Sequence, residues 1–511
     1  MMTKPLSESA TPTAPVRRPA FALPLALAVT MLAIAEPAAA AARTLGSLRF
    51  EPCTLQAPGM PGTVEAQCTT LEVPEDRGAA DGRRIPLAVA WVPSSSPQAR
   101  PDPVFMLAGG PGQSARESYP GVAGAFERVR RSRHVVLVDQ RGTGGSNRLA
   151  CLDAEGRNAF SETDDTTPEA AARFAEGCAA TLSERADLRH YTTSDAVADL
   201  DAVRAAIGAD TINLVGISYG TRVAQTYLRR FPQHVRTLVL DGVVPPDLVL
   251  GSEHAKNLEA ALDRQFALCE ATPECLERHG RPREALDRLR ARLAEGPIPV
   301  RYRHPVSGEY EDGQLDAGAL ATVVRLFAYS PRTAALLPRT LARAAAGEPE
   351  TLLAQARMIG ELVGDQIVHG MQLSVVCAED APKLVVDPAD ADTVLGTAFV
   401  EFAKAQCGVW PAGRAPDDFF APLASDKPVL LLSGEHDPVT PPRYGEQALA
   451  GYPNGRHLVA RGTGHNVLPV GCVPRLLARF LDSADAKGLD AGCLDDLGDT
   501  PPFTGSYGPE P

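Results

Sequence analysis

The sequence predicts an α/β protein: a doubly wound, mostly parallel sheet with helices on both faces and a helical cap inserted between sheet strands six and seven. Three observations carry this. Apolar runs at 103–110, 134–142, 211–218 and 237–243 are near-continuous in Val, Leu and Ile, as in strands buried on both faces. Helical patterns alternate with them, which is how a parallel sheet is wound. The strand runs then stop after Val243 and resume at 427–439, and charged helical sequence fills the gap.

The elements follow in order. Residues 1–42 read as a secretory signal peptide: Arg17 and Arg18, the apolar run "FALPLALAVTMLAIA" from Phe21, then "EPAAAAA" with cleavage near Ala40 or Ala42. The run is short and broken by Pro24, so a retained membrane anchor is the weaker alternative. The first part of the core spans 43–245, with further strands at "CTTLEVP" (68–74) and "IPLAVAWVP" (85–93). Its helix "SDAVADLDAVRAAIG" (194–208) opens at Ser194, a cap that accepts from free N–H groups, and stops at Gly208. The mostly helical cap spans 246–420, and the second part of the core, with strands at 427–439 and 455–465, spans 421–498. The Pro/Gly-rich stretch 499–511 reads as a flexible tail.

Composition bounds the function. A net charge of −13 over 511 residues argues against nucleic-acid binding. No segment after the leader is long and apolar enough for stable membrane insertion, so a secreted or periplasmic location is expected. In that oxidising setting ten cysteines suggest disulfides. Taken in chain order they pair as Cys53–Cys68, Cys151–Cys178, Cys269–Cys275, Cys377–Cys407 and Cys472–Cys493, one of many connectivities the count allows. No close Cys/His cluster is present, so neither a metal nor another cofactor is expected. Oligomeric state is not legible.

The chemistry centres on Gly216-Ile217-Ser218-Tyr219-Gly220, between a buried strand and an amphipathic helix. That setting makes Ser218 a candidate nucleophile rather than part of a plain Gly-rich bend. A serine hydroxyl needs a base, and the base needs an acid to fix its tautomer. In this architecture the order is serine, acid, histidine, which selects Asp437 after "PVLLLSGEHD" and His465 in "RGTGHNV". Asp241, which also ends a strand, rivals Asp437; His436 and His457 rival His465. The loop "AGGPGQS" (108–114) follows the third strand and offers the Gly110 N–H to an oxyanion; Tyr219, after the serine, offers the second.

Together "GGPG", "VDQRGTGGS", "GISYG" and "SGEHDPVTPP…GTGH" resemble the prolyl aminopeptidase group of α/β-hydrolases, and more closely its secreted tripeptidyl aminopeptidase-like branch. The resemblance covers about 45–495. It implies an α/β-hydrolase fold, a Ser218–Asp437–His465 triad and cleavage of peptides from a free N-terminus. Prolyl aminopeptidases usually carry a histidine where this chain has Ala108, so strict proline specificity is not implied. Exopeptidases must bind the substrate ammonium, and acidic cap residues do so in the similar proteins; here Glu379 and Asp380 are the candidates. Asp139 and Arg141 of "DQRGTGGS" read as braces of the rim loops. The competing functions are a carboxylesterase or lipase-like enzyme on the same triad and an inactive binding module.

Overall fold

The computed structural model describes residues 42–505 except 60, 61, 80, 153–166 and 365. The predicted leader, up to Ala41, lies outside the described residues. The sheet begins with β1 (Arg43–Leu45), β2 (Leu48–Gln56), β3 (Thr63–Pro74) and β4 (Arg84–Val92). It continues with β5 (Val104–Leu107), β6 (Val135–Val138), β7 (Ile212–Ile217) and β8 (Val235–Asp241). The inserted segment carries a separate hairpin, β9 (Ile298–Arg303) and β10 (Tyr310–Leu315), before the sheet resumes with β11 (Val429–Gly434) and β12 (Gly455–Ala460).

Ten strands among the described residues pair in the order β1-β2-β3-β4-β6-β5-β7-β8-β11-β12. Pairs from β1 to β6 along that order are antiparallel, and every pair from β6 to β12 is parallel. β1 and β2 extend the sheet beyond the strands read from the sequence. β2 buries only Phe50 and Leu55, so its polar, largely exposed sequence carries little strand signal. The insertion therefore enters after the eighth strand of the sheet rather than the sixth, because β1 and β2 precede the strands read from the sequence.

Alternation along each strand splits the core. Phe105, Leu107, Val136, Leu214 and Leu238 face Val197, Leu200, Val223 and Tyr227 of the helices Thr193–Ala206 and Tyr219–Arg230. Val104, Met106, Leu137, Val215 and Val239 face Tyr119, Phe126, Leu477 and Phe480 of the helices Ala115–Phe126 and Val473–Ser483. A two-residue period thus gives each strand two apolar faces, and each face is covered by helix.

The segment 246–420 divides in two. Its part from Leu258 to Ile359 has a core of its own, in which Leu262, Phe266, Leu289, Val323 and Leu341 pack together. Its later part packs Val368, Met371, Val375 and Trp410 into the main core. The tail read as flexible is partly docked: Phe503 N–H donates to Ala335 O (2.9 Å) and His436 Nε2 pairs with Asp499 Oδ1 (2.7 Å). Buried Pro502 and Thr504 explain the docking, since the Pro/Gly-rich composition hides two residues that fit a crevice. The cysteines form Cys53–Cys68, Cys151–Cys178, Cys269–Cys275, Cys377–Cys407 and Cys472–Cys493.

Candidate active site

Parallel register sets the site. Ile217 pairs with Asp241, Asp241 with Leu432, and Gly434 with Ala460, so β7, β8, β11 and β12 end at one rim. The loops carrying Ser218, Gly242, Asp437 and His465 all leave from it.

Ser218 has φ 55° and ψ −122°, a backbone region that a side chain enters only under strain. The turn is tight enough that a Cβ on Gly216 would lie 2.4 Å from Gly220 O, and one on Gly220 2.3 Å from Leu107 O. Both glycines are sterically required. The turn is pinned by the Ser218 N–H donating to Asp241 O and the Thr221 N–H donating to Ser218 O, each at 2.8 Å. Gly109 lies against it: a Cβ there would meet Ser218 Cβ at 3.2 Å. Among the described residues no acceptor takes the N–H of Gly110 or of Tyr219. Both donors stay free, as an oxyanion site requires.

His465 and Asp437 are joined, Nδ1 to Oδ2 at 2.7 Å, and both side chains are buried. Asp437 also accepts from the N–H groups of Val439 and Thr440 and from Thr440 Oγ1, each at 2.8 Å. Burial alone would raise its pKa, but the His465 charge and these donors outweigh that and hold it below the ordinary carboxylate value. Burial pulls His465 down, and the Asp437 charge and hydrogen bond more than reverse this, leaving it above 6.5. The backbone of His465 is held by its N–H donating to Tyr329 O (2.8 Å), and the two rings meet edge-on with centroids 5.3 Å apart. Gly242 closes the constellation: a Cβ there would sit 2.9 Å from His465 Cε1. Since Gly242 follows Asp241, whose carbonyl takes the Ser218 N–H, one short turn touches both the serine and the imidazole.

The rivals are engaged elsewhere. Asp241 spends its carboxylate on the N–H groups of Val467 and Leu468 (2.9–3.0 Å), bracing the loop after His465. Burial pushes its pKa up to about 6. His457 bonds Ser433 Oγ (2.9 Å). His436 is occupied by Asp499 and, with Glu435, forms one group of possible metal donors whose atoms lie within 4.8 Å of one another. Glu435 accepts from the Gly462 N–H (2.9 Å) and His436 already bonds Asp499, so the group reads as a clip between segments of the chain.

The structure corrects the expected role of Glu379 and Asp380. Asp380 is fully buried, clamps the Arg222 guanidinium at 2.9–3.1 Å and accepts from the Leu250 N–H (2.8 Å). Glu379 accepts from the Thr193 N–H (2.6 Å) and Thr193 Oγ1 (2.9 Å), and burial pushes its pKa up to about 8. Neither carboxylate is open to an ammonium; Asp380 fastens the inserted segment to the helix after Ser218, and Glu379 fastens it to the helix Thr193–Ala206. Asp139 and Arg141 do brace the rim: Asp139 accepts from Ser114 Oγ (2.6 Å), Arg116 N–H (3.0 Å) and Gly145 N–H (3.0 Å). Arg141 forks onto Asp199 at 2.7 Å.

Tyr329, Thr440, Gly242 and Arg222 are site residues that sequence reasoning missed. Only Thr440 has a local signal, since Asp437-x-x-Thr440 is the spacing of a side-chain-capped turn.

This fold and rim define a class. A family profile described as the alpha/beta hydrolase fold matches residues 102–471, and the chain belongs to that family. It is 25% identical to the serine protease Hip1 of Mycobacterium bovis over 489 residues, 87% of this chain and 91% of that protein. It is 33% identical to a tripeptidyl aminopeptidase of Streptomyces lividans over 193 residues, 35% of this chain and 36% of that protein. Among solved structures, a proline iminopeptidase of Mycobacterium smegmatis aligns at 19% identity over 82% of this chain and 99% of that one, with a TM-score of 0.38.

Proposed function

We propose that this α/β-hydrolase is a secreted serine peptidase that cleaves peptides near a free N-terminus. Ser218 is the nucleophile, His465 the general base and Asp437 the acid that orients it. The observation that carries the reading is the buried Asp437–His465 pair on the rim that presents a strained Ser218. Ser218 Oγ attacks the peptide carbonyl carbon while His465 Nε2 takes its proton. The N–H groups of Gly110 and Tyr219 receive the oxyanion. His465 then hands the proton to the leaving amine, and water hydrolyses the acyl-enzyme by the same path. Asp437 fixes Nδ1–H inward, so Nε2 is the nitrogen that accepts. The relatives named as a serine protease and a tripeptidyl aminopeptidase support the peptidase class. Five disulfides support export to an oxidising compartment.

A carboxylesterase is the second reading, favoured by one observation: Glu379 and Asp380 are not free to bind an ammonium. One comparison separates the two. Free-amine chromogenic peptides are to be cleaved well above their N-acetylated forms and above p-nitrophenyl esters. Indifference to N-acetylation would remove the aminopeptidase reading. Failure of a covalent serine probe to label Ser218 would remove both.

A further inference from the structure

One cation beside the site has no acid of its own. Arg325 lies half-buried in the inserted helix Ala317–Ala328, and its guanidinium has no hydrogen bond or ion pair among the described residues. It stacks on Phe399 with its central carbon 4.9 Å from the ring centroid. Phe399 meets the His254 ring at 5.2 Å. Four residues on from Arg325, Tyr329 packs its ring on His465 and accepts the His465 N–H. Residues four apart share a helix face, and Tyr329 still has helical dihedrals (φ −65°, ψ −28°). Arg325 and Tyr329 therefore lie on the face turned to the base. Arg325, Tyr329, His254 and Phe399 are each of intermediate exposure, and none belongs to the buried cores. Burial, then the nearby Arg325 and His465 charges, lower the His254 pKa to about 3, so it adds no charge beside Arg325.

We infer that Arg325 anchors an anionic subsite on the leaving-group side of the scissile bond, where it takes a carboxylate of the departing peptide. The side follows from the base: His465 protonates the leaving amine, so groups packed beside its ring flank the departing half. The ligand class follows from the guanidinium, a planar fork matched to carboxylate and already oriented by its aromatic stack. The carboxylate has two sources, an acidic side chain just after the cut or the free C-terminus of a short substrate. The subsite rests on the serine peptidase reading above.

The test uses peptides with one acyl half and three leaving halves: Gln with an amidated end, Glu with an amidated end, and Gln with a free carboxylate. In the wild type, kcat/KM for at least one charged form exceeds the neutral form by roughly tenfold or more. The ratio falls toward one in Arg325→Gln and is partly kept in Arg325→Lys. Ratios do not depend on the fraction of enzyme folded, and the two charged forms separate the two sources. Wild-type ratios at or below one overturn the subsite, as do ratios unchanged in Arg325→Gln. A fourth peptide, with Glu in the acyl half and the neutral leaving half, is the control: an Arg325-dependent preference for it alone also overturns the subsite. If esters are turned over and no peptide is cut, the peptidase reading itself fails. The subsite is then read from inhibition of ester turnover: stronger inhibition by N-acetylglutamate or N-acetylglutamine than by N-acetylglutamine amide, which carries no carboxylate, supports it, and equal inhibition by all three overturns it.

Discussion

Ser218 holds a strained backbone (φ 55°, ψ −122°), as the proposed nucleophile turn would. Ser218→Ala is expected to lower kcat by roughly 10⁴ or more while leaving the fold intact. Ser218→Gly is expected to be equally inactive and more stable than Ser218→Ala by about 1 kcal/mol, because glycine relieves φ 55°. Equal melting temperatures for the two would show that the turn is not strained. The imidazole makes a pH prediction. The His465 pKa is raised above 6.5, and the base works only when neutral, so the acidic limb of kcat/KM lies above 6.5. Asp437→Asn removes the charge that raises it, so the limb moves to lower pH while the rate falls by roughly 10⁴. A limb that stays in place would mean that another group titrates. At this scale the triad candidates are legible because each sits beside its own strand end in the sequence. Glu379 and Asp380 were not: Arg222, the partner that buries Asp380, is 158 residues away, and an acidic pair reads the same whether solvated or clamped.

The turn after β8 and the helix His369–Glu379 show how elements hold those residues. Gly242 has φ 69°, and a Cβ there would meet His465 Cε1 at 2.9 Å and Thr440 Oγ1 at 3.1 Å. Gly242→Ala should therefore displace the imidazole and cost about 10²-fold in kcat, in addition to the strain of a side chain at φ 69°. Wild-type kcat in that variant would show that the loop yields freely. The clamp at the end of the helix separates its two carboxylates. Asp380→Asn leaves the Arg222 charge buried with a weaker partner, at a cost of about 3–5 kcal/mol. Glu379→Gln should behave differently. Its folded pKa of about 8 exceeds 4.5, so the folded state keeps a proton that the unfolded chain releases. Wild-type stability therefore drops as pH rises from 4.5 toward 8, and Glu379→Gln removes that drop. Denaturant melts of both proteins across that range would show the gap widening with pH; a constant gap would mean that Glu379 is ionised in the fold. Strands β5 to β8 were legible as apolar runs. β2 and the hairpin β9–β10 were not, because each buries few residues and alternates with exposed polar ones.

Across the whole molecule, the inserted segment divides between two cores in a way the sequence does not show. Residues 258–359 close on their own core, while Val368, Met371 and Trp410 join the main one, a split that depends on contacts no local pattern encodes. The C-terminal stretch then ties the parts together. A Cβ on Gly462, in the loop before His465, would lie 2.2 Å from Gly498 O, so the chain runs directly over that loop. Asp499 next bonds His436, the neighbour of Asp437. Phe503 then donates to Ala335 O, and its own carbonyl meets His279 Nε2 at 3.0 Å. One strap thus touches the base loop, the acid loop and the inserted helices. Asp499 is 46% exposed, so its bond to His436 alone contributes at most about 1 kcal/mol, and Asp499→Asn should be mild. Deleting 499–511 removes the pair, the backbone bonds and the buried Pro502 and Thr504 together. The truncated chain should melt at a lower temperature and lose several-fold in kcat/KM, with the loss larger for peptides than for small esters that need less of the inserted helices. Matching melts and equal turnover of both substrate types would show that the strap only covers the surface. Equal losses on both would place its effect on the acid and base loops alone.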